Sequence, residues 1–112
     1  MRFTIIPCDG VVGIDGENYS GIDLSFMPQD VNAVQWLGEY GEIEIKDSRG
    51  RIIENRLFYD ATPYSDVLNL WQQAREHALQ KAAELKARKE AEEFELLGDM
   101  DADDLASSNA GQ

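Results

Sequence analysis

The apolar positions change rhythm once along this chain. Up to about residue 60 they recur at every second position in short runs, and beyond Pro63 they recur every third or fourth. A period of two belongs to strands with one buried face, and a period near 3.6 to a helix. Phe3-Thr4-Ile5-Ile6 reads as a first short strand, ended by Pro7 and the turn pair Asp9-Gly10. Val11 to Ile14 follows, and Asp15-Gly16 suits a type I′ hairpin because both positions tolerate positive φ. The return strand is expected over Asn18 to Leu24. Ser25 to Asp30 contains Pro28, which lacks the donor a central strand needs, and reads as a connection.

The stretch "AVQWLGEYGEIEIKD", Ala33 to Asp47, predicts a second hairpin. Val34 and Trp36 share one face of its first arm, with Asn32 aligned, and Gly38 and Gly41 flank the reversal. On the second arm Ile43 and Ile45 face one way while Glu42, Glu44 and Lys46 face the other, the pattern of a strand with one dry and one wet face. Ser48-Arg49-Gly50 makes the next turn. Arg51 to Tyr59 is a further strand carrying Ile52, Ile53, Leu57, Phe58 and Tyr59. The simplest arrangement of these strands is an antiparallel meander over residues 2–60.

Pro63 closes that regime. Ser65 is a candidate helix N-cap, with Asp66 placed to suit the positive end of the helix dipole. Val67, Leu70, Trp71, Ala74, Ala78, Ala82 and Leu85 form one stripe, bulky at first and thinning to alanine. The bulky turns are expected to pack on the sheet, with Trp36 meeting Trp71 or Leu70. The segment "KAAELKARKEAEEFE" is helix former with little to bury, and Gly98 is a plausible stop. The predicted class is therefore α+β: a small domain over residues 1–80, a projecting helix over 81–97, and a disordered acidic tail over 98–112.

Charge sharpens this division. Ten basic and 22 acidic residues give a net charge of −12, and the eight acidic residues from Glu90 onward are interrupted by no basic one. Residues 1–89 then hold 14 acidic against 10 basic residues, an ordinary balance. So acidic a surface disfavours phosphate backbones and anionic lipid, and no direct nucleic-acid or membrane partner is expected. With Cys8 as the only cysteine, no disulfide can form within the chain. The start "MRFTIIPCDG" has one basic residue and a short apolar run broken by Pro7, so no signal segment is expected, and no run approaches the roughly 20 residues of a membrane span.

Candidate chemistry is sparse. "DMDADD" lacks the turn glycine and the closing glutamate of a calcium loop, so no metal site is expected. A cysteine nucleophile would need Cys8 to find His77, the only histidine, across the fold. The glycines at 10, 13, 16 and 21 have neither the strand–loop–helix setting nor the lysine of a phosphate cradle. No catalytic or cofactor-binding residue is expected. Partner-binding candidates are Tyr40 at the hairpin tip and Leu79, Leu85, Phe94, Leu96 and Leu97 on the distal helix. Trp36 carries two readings, a core residue or an anchor for a partner.

Three segments, "MRFTIIPCDGVVGIDGENYSGIDLS", "VNAVQWLGEYGEIEIKD" and "LNLWQQAREHA", resemble a group of small proteins encoded beside tail-fibre genes in tailed bacteriophages and prophages. The likeness covers about residues 1–80. Asn32 and Leu37 stand where the group often has histidine and tyrosine, and the extension from Lys81 is longer than usual. The resemblance implies a non-enzymatic protein of the tail module, an assembly chaperone or minor structural subunit that binds a tail or tail-fibre component. It implies residence in the host cytoplasm during assembly, with a place in the virion tail as a further expectation. Self-association through the C-terminal helix is a second expected contact. An acidic inhibitor of a host protein, its tail acting as a DNA mimic, is the alternative.

Overall fold

Six antiparallel strands form one sheet in this computed structural model, which describes the backbone of residues 1–110 and the side chains of residues 1–95. The strands are β1 (Phe3–Ile6), β2 (Val11–Ile14), β3 (Glu17–Tyr19), β4 (Val31–Trp36), β5 (Gly41–Lys46) and β6 (Ile52–Phe58). A helix, α1 (Ser65–Ala110), follows, so the protein is α+β. Two units are distinguished, Met1–Glu76 and His77–Gln112.

The spatial order is β3-β2-β1-β4-β5-β6, which is two three-stranded meanders joined through β1 and β4. A simple meander would have set β4 beside β3. The cause lies in the connection from Ser20 to Asp30. Its Leu24 and Met27 are buried, and the Ile22 N–H donates to the Gly10 carbonyl at 3.0 Å, so this segment belongs to the core and returns the chain to the middle of the sheet. The strand expected to reach Leu24 accordingly stops at Tyr19, before Gly21 takes a φ of 74°. The Asp15-Gly16 turn has φ values of 48° and 86°, as a type I′ turn requires. The Asp15 carboxylate and amide hold Arg2 at 2.8 Å on each side.

Register builds the core. Phe3 lies opposite Ile14 and Trp36, Ile5 opposite Val12 and Val34, and Val34 opposite Ile43. Phe3, Ile5, Val12 and Val34 are the most deeply buried of these side chains. A bulge between Val31 and Ala33 lets both Val31 and Val34 point inward, which strict alternation forbids. Leu24, Met27 and Val67 close the core from above.

Trp36 is buried, but its neighbours are not the expected ones. It stacks on Phe3 at 6.2 Å and meets Phe58 at 5.4 Å, and Tyr64 closes the cluster at 5.3 Å from Phe58. Trp71 sits against Tyr19 instead, edge to face at 5.8 Å, and its Nε1 donates to the Glu17 carbonyl at 2.9 Å. The pairing of Gly41 with Phe58 explains this. With no side chain at Gly41, the Phe58 ring lies across β5 and reaches Trp36. A methyl group there would overlap the Phe58 ring and stand 2.6 Å from the Gln35 carbonyl oxygen.

The helix begins differently from its predicted cap. A 3-10 turn over Thr62–Tyr64 precedes it, Ser65 is already helical, and the Ser65 hydroxyl donates to the Thr62 carbonyl at 2.7 Å. Asp60 fixes the start of that turn, accepting from the Thr62 amide at 3.0 Å and its hydroxyl at 2.5 Å. At the other end the backbone of α1 passes Gly98, where the pattern predicts a stop. One glycine costs a helix only about 1 kcal/mol relative to alanine and ends it only with a left-handed backbone. The predicted acidic tail, 98–112, falls on residues whose side chains lie outside the described ones, as do Leu96 and Leu97.

Two outcomes follow for stability. Gly41→Ala is expected to destabilise the fold by about 1–3 kcal/mol through overpacking, read as a lower urea midpoint with an unchanged slope. Asp47 organises the β5–β6 turn by accepting from the Arg49 and Arg51 amides, each at 2.9 Å, and from Arg51 Nε at 3.1 Å. The Arg51 amide, then that of Arg49 and the guanidinium, hold its carboxyl below the ordinary value of 3.8. A depressed folded pKa contributes stability above the unfolded value that is lost as pH falls through the folded one. Asp47→Ala should therefore lower the melting temperature at neutral pH. The gap to the parent protein should narrow as pH is taken below 3.8.

Candidate functional site

The sequence-predicted contact residues fall in separate units. Tyr40 lies at the tip of the β4–β5 hairpin, where its carbonyl accepts from the Leu37 amide at 2.8 Å and its side chain is half exposed. Trp36, one turn away, is consumed by the aromatic core and offers no anchor to a partner. Leu79, Leu85 and Phe94 are exposed on α1 in the second unit, Phe94 at 75%. They do not form one stripe. At about 100° per residue, Leu79 and Phe94 stand about 60° apart, while Leu85 is about 120° from the first and 180° from the second. From Leu79 to Glu95 every side chain is exposed, so α1 has no dry face along this stretch.

A second surface was not signalled by residue type. β6 is an edge of the sheet, seven residues long, with a register shift against β5 between Glu54 and Ile52, and its side chains are exposed as far as Leu57. Ile52, Ile53 and Leu57 are exposed, at 45%, 64% and 51%, and Tyr59 just beyond it at 72%. Its inner positions are not apolar until Phe58: Glu54 lies opposite Ile45 and Arg56 opposite Ile43. Those two form an ion pair along the strand, Arg56 Nε to Glu54 Oε2 at 2.9 Å, reinforced by Nη2 to Oε1 at 3.3 Å. The guanidinium's hydrogen bond holds the Glu54 carboxyl below its ordinary value, and the carboxylate raises Arg56 in turn. The signal available in the sequence is "IIENRLF" itself, in which strand alternation fails on both faces at once.

The opposite edge is treated differently. β3 has three residues, Trp71 donates to its Glu17 carbonyl, and Arg75 Nε holds the Glu17 carboxylate at 3.0 Å. Tyr19 also donates to that carboxylate, which is the first cause of its raised pKa. Short length and a packed helix are two of the ways in which proteins blunt a sheet edge. β6 has neither.

The remaining chemistry is dispersed. Cys8 is exposed in the turn after β1, its thiol 3.7 Å from Asp9 Oδ1, and His77 lies in the other unit. Among the described residues no charged or polar side chain is buried, and no three His, Cys, Asp or Glu residues are grouped as metal ligands. A cleft in the first unit runs between Pro7-Cys8 and Met27-Pro28 over Leu24 and Val31, with Lys46 at its rim. Among the described residues no helix is long and apolar enough to cross a membrane. Comparison with protein families, with characterised proteins and with solved structures finds no match for this chain.

Proposed function

We propose that this chain is a non-enzymatic subunit of a phage tail module, which binds a tail or tail-fibre component through the part of α1 beyond Glu76. The resemblance over residues 1–80 supports the setting. The observation that carries the binding mode is the unbroken exposure from Leu79 to Glu95, with Leu79, Leu85 and Phe94 among the exposed residues. Helices in folded proteins draw most of their stability from packing rather than from propensity. A segment with three large apolar side chains in water gains on entering a groove of another subunit, each buried side chain contributing about 1.5–3 kcal/mol. Their spread around the helix suits a partner that surrounds it more than one that meets a single face. The first unit then serves as the folded part of the subunit, in the host cytoplasm during assembly and as a minor component of the tail.

The test is capture of a tail or tail-fibre protein by the tagged chain from induced or infected cells. Leu79→Ala with Phe94→Ala should weaken that capture at least about tenfold. The unfolding free energy should stay within about 0.5 kcal/mol of the parent's, since both positions are exposed. Undiminished capture by the double variant would remove the helix from the mechanism. Salt-sensitive capture of a host nucleic-acid enzyme, lost on deleting residues 90–112, would instead favour the inhibitor reading.

A further inference from the structure

The free edge of the sheet has a sequence that complements itself. β6 reads Ile52-Ile53-Glu54-Asn55-Arg56-Leu57-Phe58. Laid antiparallel on a second copy about a two-fold axis through Asn55, it sets Glu54 opposite the partner's Arg56, and Arg56 opposite the partner's Glu54. Ile53 meets the partner's Leu57. From Ile53 to Leu57 every position finds a partner of matching chemistry: one apolar pair, one ion pair, the central amides, and the same series in reverse. Phe58 stays in the aromatic cluster of its own protomer, against Trp36 and Tyr64.

The backbone is oriented to make this pairing. The Leu37 N–H bonds to the Tyr40 carbonyl, so that pair closes the β4–β5 hairpin and Trp36–Gly41 is the next pair, not bonded to each other. Residues in an antiparallel ladder alternate between bonding one neighbour and the other. Gly41 therefore directs its amide and carbonyl toward Phe58, and along the β5–β6 ladder Ile43–Arg56 is bonded while Glu42–Leu57 and Glu44–Asn55 are not. The amides and carbonyls of Asn55 and Leu57 thus point out of the sheet. Centring the axis on Asn55 lets the two Asn55 residues exchange both backbone bonds. It also brings Leu57 to the partner's Ile53, the residue that the β5 register skips between Glu54 and Ile52.

We infer that the protein forms a two-fold symmetric dimer through antiparallel β6–β6 pairing centred on Asn55, joining two six-stranded sheets into one. The occupant of the edge is a second copy rather than a foreign strand, because charge complementarity at Glu54 and Arg56 is satisfied by this strand's own reverse. In the monomer these two side chains already pair along the strand and stay about half exposed. In the dimer they become a four-charge cluster in which each carboxylate lies between two guanidinium groups, while Ile53 and Leu57 leave water. Backbone pairing supplies affinity, and the charge order supplies register. This inference is independent of the distal-helix reading above, which uses residues beyond Glu76.

The test is sedimentation of the full-length chain at micromolar concentration. The parent protein is expected as a dimer. Glu54→Arg and Arg56→Glu each place like charges opposite one another at two symmetric points, and each should raise the dimer dissociation constant at least about tenfold. An equimolar mixture of the two variants restores opposite charges at every crossing and should dimerise again, as should the E54R/R56E double variant. Asn55→Pro removes an amide that points out of the sheet, so it should yield a monomer with an unchanged circular dichroism spectrum. A monomeric parent, a monomeric mixture of the charge variants, or a dimer that survives Asn55→Pro would overturn the pairing. A dimer lost on deleting residues 79–112 but retained by Asn55→Pro would assign self-association to the helix and overturn it equally.

Discussion

Pairing of β1 with β4 sets Phe3 opposite Trp36 and Ile5 opposite Val34, and the rest of the structure is arranged around that register. It joins the two three-stranded meanders into one sheet, so that the apolar face of each is continued by the other. The most deeply buried side chains, Phe3, Ile5, Val12 and Val34, lie at this junction or one strand from it. The connection from Ser20 to Asp30 makes the pairing reachable, because Leu24 and Met27 anchor it on the core on its way back to the centre. The 3-10 turn and the first turns of α1 then cover what the sheet leaves open, through Tyr64, Val67 and Trp71.

With β1 and β4 in the middle, β3 and β6 become the edges, and the protein treats them unequally. α1 leans on β3 through the Trp71 and Arg75 contacts to Glu17. Nothing described covers β6, whose inward positions carry Glu54 and Arg56 rather than apolar residues. Inward-facing charges on an edge ordinarily discourage indiscriminate pairing. Here their order also defines the one strand that would suit them, which is how an edge can avoid aggregation and still be specific. The distal helix is a separate provision: a long segment of exposed helix former, acidic toward its end, with a few large apolar groups.

Most strands were legible because their signals are local. Asp15-Gly16 fixes a type I′ turn by its own dihedral preferences, and Ile43-Glu44-Ile45 shows its two faces by alternation alone. The misread elements are those decided at a distance. Asn18 to Leu24 has a strand-like pattern, but the core claims Leu24, and Ser65 is no cap because the 3-10 turn ahead of it already sets its backbone helical and its hydroxyl donates to the Thr62 carbonyl. Trp36 was recognisable as a core candidate from its shared face with Val34. Its partners were not, since they depend on the missing side chain at Gly41 and the ring of Phe58 across the sheet. Of the surface residues, Leu85 could be named from the thinning stripe and Leu79 and Phe94 as apolar groups of the distal helix, whereas β6 could be read as a strand but not as an edge, because its letters do not record which strands lie beside it.

The sequence by itself determined the change from period two to period 3.6 at Pro63, the turns that need glycine or aspartate, and the placing of excess acidity beyond Glu90. These depend on the dihedral and solvation preferences of residues close in the chain, so proximity in sequence suffices. Only the tertiary structure decided strand order, and with it which strands are central and which are edges. Strand order depends on contacts between residues far apart in the chain, whose energies no local pattern records. That is why the self-complementary strand, plain as letters, acquired meaning only when β6 was found on the outside.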